Sequence, residues 1–452
     1  MKSLMLNPSA GQVVRKDGWL NNAIKRRFFD NFNQIEFGQI TFVDAGQVTV
    51  CGAGQATDVR VTINDNRFYT NVASGGAIGA AESYMQGLWS CESLTELVQI
   101  LIRNRKVLDG MGRNAFKKWA YKFLHVLNRD TELGARKNIA AHYDLGNDLF
   151  ETFLDPTMTY SSGFFASQAD SMETASIAKL DMICKKLKLS ASDQVIEIGT
   201  GWGSFALHAA RNYGCHVTTT TISQAQYDLA KSRIERAGLE GNITLLLKDY
   251  RDLKGTFDKL VSIEMIEAVG LEFLGDYFSK CADLLKPSGN MLIQAITIAD
   301  QQFEFSRKNV DFIQRYIFPG GALPSVTALT ATATEHTDLR LFALEDITAH
   351  YGLTVSRWRE QFCRNIDLIK NLGYDNQFLR MWEYYLCYCE GGFNERAIGC
   401  VHAEFHKPLF SQSLGVEPLS GESSADSVNK LIDNSVDETR LGSDLPQNGA
   451  FQ

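Results

Sequence analysis

The segment 195–205, VIEIGTGWGSF, has the composition of a ligand-binding turn between a strand and a helix. Its apolar run contains the acidic Glu197, and glycines follow at Gly199, Gly201 and Gly203. Glycine lets the backbone approach a ligand closely, and the amide end of the helix that follows attracts negative charge. The turn therefore predicts a cofactor site at the end of a strand.

Two cofactors fit such a turn, and the position of the acid distinguishes them. A dinucleotide site requires GxGxxG and a carboxylate about 20 residues further on to hold the ribose. Here Ser204 replaces the last glycine, and HVTTTTISQAQ (216–226) has no acid near the end of the next strand. Glu197 instead precedes the first glycine, which suits a compact nucleoside with a charged amino-acid arm. The pattern favours S-adenosylmethionine over NAD, although some such turns only pack a helix on a sheet.

The elements around this turn alternate between strand and helix. Strands are predicted at Gln194–Ile198, Cys215–Thr220, Ile243–Leu247, Lys259–Ile263 and Asn290–Ile296. Helices are predicted at Ala175–Leu187 and around Leu274–Leu285. Two more are predicted between them, one from the glycine turn through Ala210 and one from the end of the second strand to Ala237. This alternation predicts an α/β fold with a doubly wound, mostly parallel, Rossmann-like sheet. Ligands of such a sheet bind at the carboxyl ends of the strands.

Four regions are predicted along the chain. A smaller N-terminal α+β domain covers 1–100, with a turn at Asp44-Ala45-Gly46, alternating Val59, Val61 and Ile63, and a helical pattern from 75 onward. A basic helical linker follows at 101–138, and the catalytic domain at 139–410. The tail, 411–452, is rich in serine and acidic residues and is predicted to be disordered.

The segment 103–137 has ten basic and three acidic residues, a balance of +7 in a protein with a net charge of −8. Phe116, Trp119 and Phe123 share one face of a predicted helix, and Lys117 and Lys118 lie opposite. One interpretation is a solvated connecting helix. The other is contact with an anionic lipid surface, where each basic residue contributes roughly 1 kcal/mol. The sequence leaves both open.

Composition excludes several classes of protein. The chain has 452 residues and a net charge of −8, which argues against a nucleic-acid binder. No apolar run approaches the ~18 residues of a membrane span, and the start lacks a secretory signal. The nine cysteines are scattered without CxxC pairs. This spacing predicts free thiols in a cytoplasmic protein, without a zinc site or any other metal.

Six motifs outside the glycine turn occur in a fixed order. They are IAAHYDLGNDLFETFLDPTMTYSSGFF (139–165), HVTTTTISQAQ (216–226), LLKDYRDL (246–253), SIEMIEAVG (262–270), YIFPGGALPS (316–325) and YYLCYCEGGF (384–393). Together they resemble the cyclopropane-fatty-acyl-phospholipid synthase family, related to the mycolic acid methyltransferases. GGAIGAAESYMQGLWSC (75–91) resembles the N-terminal domain of the longer bacterial synthases. Only the acidic tail lies outside the resemblance.

The resemblance implies an S-adenosylmethionine site. The positions that match cofactor contacts are Tyr160, Ser161, Gly199, Gly201, Thr221, Gln226 and Tyr250, in addition to Glu197. The Tyr250 ring is expected beside the adenine. Its neighbour Asp249 either contacts the cofactor or shapes the turn.

The implied reaction adds a one-carbon unit to the cis double bond of an unsaturated phospholipid acyl chain and forms a cyclopropane ring. Methyl transfer to the alkene leaves a carbocation, which requires a dry pocket, aromatic faces and a base. Roughly half of the candidate rings are expected to line the site, because large rings usually build core. The candidates are Tyr160, Phe164, Phe165, Tyr316, Phe318, Trp382 and Tyr385.

In this family the base resembles a bound bicarbonate ion. Its holders map to Glu267, Tyr351 and the backbone of Ser162 and Ile296, a set called the predicted anion cage below. His142 is a further candidate, either for direct catalysis or as a structural histidine.

Two positions depart from the family pattern. Ser162 stands where cysteine is common, and Gln294 stands where histidine is common. A backbone contact survives the first change. Gln294 can still donate a hydrogen bond to an anion, but it does not titrate near neutral pH. The alternative prediction is therefore a fatty acyl C-methyltransferase that makes a methyl- or methylene-branched chain.

Two other functions fit the sequence less well. A small-molecule N- or O-methyltransferase would not need the predicted anion cage, and a lipid-binding or regulatory protein would not need the intact glycine turn with Glu267. The predicted partners are an unsaturated phospholipid, the inner face of the cell membrane in peripheral contact, and a second copy of the chain in a homodimer.

Overall fold

The N-terminal part of the protein is built around a four-stranded sheet. The computed structural model describes residues 19–53, 57–105 and 145–411. The sheet has the order β2–β1–β3–β4, with β1 parallel to β3 and the other pairs antiparallel. Its strands are β1 (Gln39–Asp44), β2 (Gln47–Cys51), β3 (Asp58–Ile63) and β4 (Trp89–Cys91).

The predicted turn and the predicted alternation are both present in this sheet. Ala45 and Gly46 have φ angles of 48° and 84°, as a tight hairpin turn requires. Val59, Val61 and Ile63 are buried, while the residues between them are not. Three helices pack with the sheet: α1 (Trp19–Phe32), α2 (Arg67–Met85) and α3 (Leu94–Arg103).

The second sheet has seven strands and is mostly parallel, as predicted. Its order is β10–β11–β9–β8–β5–β6–β7, and the five strands from β9 to β7 are parallel to their neighbours. Strand β11 is antiparallel to both β9 and β10. The strands are β5 (Gln194–Ile198), β6 (His216–Thr221), β7 (Ile243–Leu247), β8 (Phe257–Ile263), β9 (Leu285–Ile298), β10 (Arg340–Asp346) and β11 (Ile398–His406).

Helices connect these strands and extend beyond the sheet. Those before and within the parallel strands are α4 (Asn147–Glu151), α5 (Met172–Lys186), α6 (Ser204–Tyr213), α7 (Gln224–Ala237) and α8 (Leu274–Leu284). Those that follow are α9 (Asp300–Lys308), α10 (Val326–His336), α11 (Thr348–Arg364), α12 (Ile366–Asn371) and α13 (Asn376–Asn394). Short 3₁₀ turns follow strand ends at Tyr250–Asp252, Ile266–Ala268 and Leu271–Phe273. A short π-helix occupies Ile313–Ile317.

The strand order reverses between β5 and β8. The chain runs from β5 outward to β6 and β7, then returns to place β8 on the other side of β5. In open α/β sheets this reversal leaves a crevice at the carboxyl ends of the strands. The glycine turn directly follows β5 and therefore lies at this crevice.

Helix α13 packs against the N-terminal helices α2 and α3. The Tyr84 hydroxyl donates to Glu383 at 2.7 Å, and the Thr95 hydroxyl donates to Glu390 at 2.9 Å. One hydrophobic core contains residues from both parts, and the described residues as far as Phe410 form one compact unit. The four-region division made from the sequence stays a prediction.

Some sequence predictions fall on residues that the structure does not describe. They are most of the basic segment (106–138), His142 and the tail beyond residue 411. Among the described residues, no helix combines the length and the apolar character needed to cross a membrane. All nine cysteines are free thiols.

Candidate active site

A cavity of about 570 Å³ opens at the carboxyl ends of the parallel strands. Residues that follow β5, β6, β7, β8 and β9 all contribute to its lining. The eight predicted cofactor residues belong to this lining: Tyr160, Ser161, Glu197, Gly199, Gly201, Thr221, Gln226 and Tyr250. The structure therefore brings together side chains that are up to 90 positions apart in the sequence.

The glycine turn is held to the neighbouring strand through its backbone. The amides of Gly199 and Thr200 both donate to the carbonyl of Thr220, at 3.1 and 3.0 Å. Gly199 and Gly201 have φ angles of 101° and 53°, which favour glycine. A Cβ added at Gly201 would meet no protein atom within 4 Å and would project into open space. This open cradle fits the arm of a bound cofactor.

Glu197 lies at the end of β5 and is only 2% exposed. It accepts a hydrogen bond of 2.6 Å from the Thr219 hydroxyl, which is itself 2.7 Å from the Thr200 hydroxyl. Burial raises the pKa of Glu197 to about 8, and the Thr219 hydrogen bond opposes the rise. The carboxyl group is thus placed on the cavity wall and fixed in orientation.

Strands β6 and β7 supply the next part of the wall. The Thr221 hydroxyl donates to the Gln226 side-chain oxygen at 2.8 Å, so these two predicted cofactor residues hold each other. Asp249 accepts two hydrogen bonds from the Arg251 guanidinium, at 2.8 and 2.7 Å, and one from the Arg251 amide. It also lines the cavity, next to Tyr250. These contacts support the turn-shaping role, one of the two roles predicted for Asp249.

The segment before α5 also lines the cavity. The Tyr160 hydroxyl lies 2.7 Å from that of Tyr385, and the Ser161 hydroxyl accepts from the Lys179 ammonium at 2.8 Å. Lys179 is 1% exposed, and burial lowers its pKa to about 8. The charges of Glu264 and Glu197 oppose that decrease, so the ammonium group lies within the field of both carboxylates.

About half of the candidate aromatic residues line the cavity. Tyr160, Phe318 and Tyr385 do so, whereas Trp382 packs in the core against Phe150. Other rings that the sequence analysis did not select also line the cavity: Tyr388 and Phe393 from α13, and Trp202 and Phe205 from the glycine turn and α6.

Glu267 lies in the 3₁₀ turn after β8. One of its oxygens accepts from the Ile296 amide at 2.5 Å, a contact between two members of the predicted anion cage. Its other oxygen, Oε2, is buried and has no hydrogen-bond partner among the described residues. Burial, reinforced by the nearby charge of Glu264, raises the pKa of Glu267 to about 8.

The other donors of the predicted anion cage point at Glu264, a residue that the sequence analysis did not select. The Ser162 amide donates to its Oε1 at 3.0 Å, and the Tyr351 hydroxyl donates to its Oε2 at 2.5 Å. Burial raises the pKa of Glu264, and these hydrogen bonds oppose the rise. A bicarbonate ion does not fit between these donors as they stand, because a protein carboxylate already accepts from both.

The Gln294 side chain donates its hydrogen bond to Glu264, a carboxyl group of the protein itself. Its amide nitrogen lies 2.6 Å from Glu264 Oε1, and its amide oxygen lies 2.9 Å from His402 Nε2. His402 Nδ1 lies in turn 3.0 Å from the Lys186 ammonium. Burial and the Lys186 charge lower the pKa of His402 well below its usual value, so the ring is neutral.

Sequence signals for the missed residues existed but were ambiguous. Glu264 stands three residues before Glu267 in SIEMIEAVG, and either glutamate could have been the functional one. Lys179 occupies the apolar face of α5, between the buried Ala175 and Ile183. A lysine on such a face indicates a buried charge, which requires a partner.

A parallel sheet with a glycine turn and an acid at the end of its first strand defines the S-adenosylmethionine-dependent methyltransferases as the class of enzyme. A family model described as mycolic acid cyclopropane synthetase matches residues 131–403. The chain belongs to this family.

Two relatives and one solved structure illustrate the similarity. Tuberculostearic acid methyltransferase UfaA1 of Mycobacterium tuberculosis is 38% identical over 325 residues, covering 70% of this chain and 76% of the relative. Cyclopropane-fatty-acyl-phospholipid synthase of Escherichia coli is 37% identical over 355 residues, covering 75% and 85%. The crystal structure of mycolic acid cyclopropane synthase CmaA1 with SAH and CTAB has a TM-score of 0.56 and 28% identity, covering 60% of this chain and 98% of that one.

Proposed function

We propose that the enzyme transfers a one-carbon unit from S-adenosylmethionine to the cis double bond of unsaturated phospholipid acyl chains, forming a cyclopropane ring. The observation that carries the proposal is a single cavity that contains the glycine turn, an aromatic wall and the half-buried Glu264 and Glu267. The name of the E. coli relative, cyclopropane-fatty-acyl-phospholipid synthase, supports the substrate class.

The cofactor half of the cavity fits S-adenosylmethionine, which supplies an activated methyl group on a sulfonium sulfur. The Gly199–Gly201 turn leaves open space for the amino-acid arm. Glu197 and the Thr221–Gln226 pair present fixed polar groups, and Tyr250 presents a ring to the same space. These residues bind and orient the cofactor.

The other half suits a cationic intermediate on an acyl chain. The mutual hydrogen bond of Tyr160 and Tyr385 fixes two rings on the cavity wall, and Phe318 adds a third. Aromatic faces stabilise a positive charge that lies against them. The apolar surroundings exclude water that would otherwise trap the cation.

The cavity opening carries features of a phospholipid site. Arg105 and Phe305 both line the cavity and are both exposed, so they lie where the cavity meets the surface. An arginine complements a phosphate head group, and an exposed ring complements the acyl chain attached to it. Peripheral contact with the inner face of the cell membrane and a homodimeric assembly belong to the same proposal.

The test is to incubate the purified protein with vesicles of a cis-monounsaturated phospholipid and methyl-labelled S-adenosylmethionine. The expected result is a gain of one CH₂ in the acyl chains together with loss of the olefinic proton signals. Heat-denatured protein is the control. Absence of label in the lipid would contradict the proposal.

A second product is favoured by two observations. Gln294 stands beside Glu264 where histidine is common in the family, and one 38% identical relative is named a tuberculostearic acid methyltransferase. The same experiment separates the two products. A retained alkene, or a methyl branch with two extra hydrogens, would identify a branching methyltransferase.

A further inference from the structure

We propose that the carboxylate of Glu264 is the base that deprotonates the carbocation, in the position predicted for bicarbonate. This inference rests on the proposed function. It follows from the direction of the hydrogen bonds around Glu264, which lines the same cavity as the glycine turn.

Four hydrogen-bond donors surround the carboxylate, and the weakest is the Cys400 thiol, 3.9 Å from Oε1. The Ser162 amide and the Gln294 amide nitrogen reach Oε1 at 3.0 and 2.6 Å, and the Tyr351 hydroxyl reaches Oε2 at 2.5 Å. The two N–H groups can only donate, so Oε1 must accept from both. Such a set of donors stabilises the ionised form of a carboxyl group, as a cage built for an anion would.

The orientation of Gln294 is fixed by residues behind it. An ammonium group can only donate hydrogen bonds, so His402 Nδ1 must accept from Lys186, and Nε2 must carry the ring proton. That proton is donated to the Gln294 amide oxygen, which turns the amide nitrogen toward Glu264. A glutamine held in this way is a permanent donor to the Glu264 carboxylate.

Glu267 is the neutral member of the pair. It accepts one hydrogen bond, from Ile296, and its Oε2 has no partner among the described residues. Two half-buried carboxylates that repel each other cannot both ionise at low cost, and the better hydrogen-bonded one keeps the charge. The buried Lys179 ammonium adds to the stabilisation of charge at Glu264.

The proton transfer balances without another reactant. Once the methyl carbon has bonded to one alkene carbon, the other alkene carbon carries the positive charge. A Glu264 oxygen takes a proton from that methyl group, and the released C–H electron pair forms the ring bond. If a hydride first shifts from the methylated carbon to the cationic carbon, the same deprotonation instead forms an exocyclic double bond. The proton on Glu264 then leaves to solvent when the product departs.

The backbone of Glu264 has an uncommon conformation, which supports a functional role for this residue. Its φ angle is 51°, in the left-handed region that non-glycine residues rarely adopt. Such conformations persist where the surroundings impose them and are concentrated at functional sites. Glycine would adopt this backbone without strain, and Glu264→Gly would leave Ser162 and Tyr351 facing an empty space the size of a small anion.

The test compares lipid turnover in bicarbonate-depleted buffer with turnover after addition of bicarbonate or formate. We expect wild-type activity to be independent of both anions. Glu264→Gln should lower kcat at least 100-fold while the Kd for S-adenosylmethionine stays within about threefold. Glu264→Gly should lose kcat by a similar factor. Millimolar formate or bicarbonate should then raise the kcat of Glu264→Gly at least tenfold above its value without added anion.

The matched control is Glu383→Gln. Glu383 is a buried glutamate on α13 that, like Glu264, accepts a hydrogen bond from a tyrosine hydroxyl. That tyrosine belongs to α2, and Glu383 does not line the cavity. Its kcat should remain within about twofold of wild type.

Two results would overturn the inference while leaving the proposed function intact: bicarbonate-dependent wild-type turnover, or a Glu264→Gln variant within threefold of wild type. A wild-type enzyme that modifies no lipid at all would overturn the proposed function itself, and the inference with it.

Discussion

At the scale of single residues, Gly201 has two separable properties, a left-handed backbone and an open space beside it. A Cβ at this position would meet no protein atom, so the substitution Gly201→Ala removes space from the cofactor rather than from the protein. We expect it to weaken S-adenosylmethionine binding at least tenfold, measured by titration calorimetry.

Gly238 provides the control for backbone strain. It ends α7 with a φ of 65°, close to the 53° of Gly201, and it too has open space around an added Cβ. Gly238→Ala should lower the melting temperature by about as much as Gly201→Ala does, because both place alanine at positive φ. Equal cofactor affinity in the two variants would show that the Gly201 cradle is not the binding site.

The protonation of Glu267 gives stability a distinct pH dependence. In the folded protein this carboxyl group keeps its proton to a pKa of about 8, whereas it ionises near 4.5 when unfolded. The folded state therefore binds more protons in this interval, and stability falls as pH rises through it, by up to ~1.4 kcal/mol per pH unit per group.

Glu267→Gln removes that contribution. The stability of the variant relative to wild type should increase between pH 5 and pH 8, measured by urea unfolding at each pH. Glu235→Gln, on the exposed side of α7, is the control and should follow the wild-type curve. A constant difference between Glu267→Gln and wild type across this range would refute a neutral Glu267.

Positions at the cavity were predictable where a linear motif carries them. The residues predicted from the glycine turn and from TISQAQ line the cavity, and their roles stay predictions: Glu197, Gly199, Gly201, Thr221 and Gln226. Glu264 was not identified, because its role depends on where the Ser162 amide and the Tyr351 hydroxyl point. Those directions result from tertiary packing between segments that are 102 and 87 residues away from it in the chain.

At the scale of elements, α13 links the N-terminal helices to the cavity. Arg380 donates to the backbone carbonyls of Tyr84 and Trp89, and its guanidinium lies 4.2 Å from the centre of the Tyr84 ring. Arg380→Met would leave two buried carbonyls without these donors, at a cost of roughly 2–4 kcal/mol in unfolding free energy. Because α13 also carries Tyr385 and Tyr388 into the cavity, the KM for lipid should rise more than the Kd for S-adenosylmethionine.

The control for Arg380→Met is Arg396→Met. Arg396 pairs with Asp346 at the surface, where its side chain is 64% exposed, and loss of such a pair costs little. Denaturant unfolding and steady-state kinetics on both variants provide the measurement. A cofactor affinity that falls as much as the lipid affinity would mean that α13 supports the whole site and not the lipid half.

Element boundaries followed from the sequence where local pattern decides them. Strands β5 and β7 begin and end at the predicted residues. Strand β9 begins five residues before the predicted Asn290, because Lys286-Pro287-Ser288-Gly289 has the composition of a turn although it lies within the strand. The helical pattern after residue 75 contains the short strand β4, whose pairing with β3 is a non-local contact.

At the scale of the whole molecule, charge is distributed unevenly along the chain. The protein has a net charge of −8, yet residues 103–137 have a balance of +7. The phospholipid substrate proposed above would be reached at a membrane surface that is itself anionic. The remainder of the protein is repelled by such a surface, so the basic segment is expected to supply the attraction.

Neutralising Lys117, Lys118 and Lys122 to glutamine tests this expectation, because each basic residue near an anionic surface contributes about 1 kcal/mol. Binding to vesicles with 30% phosphatidylglycerol, measured by sedimentation, should weaken by up to about 100-fold at low salt. The difference should shrink at 0.5 M salt as screening increases. The control triple variant, at the exposed Lys231, Lys254 and Lys370, changes the net charge equally outside this segment. Equal weakening in the two triple variants would show that net charge, and not the basic segment, governs membrane contact, and the segment would then be a solvated connection.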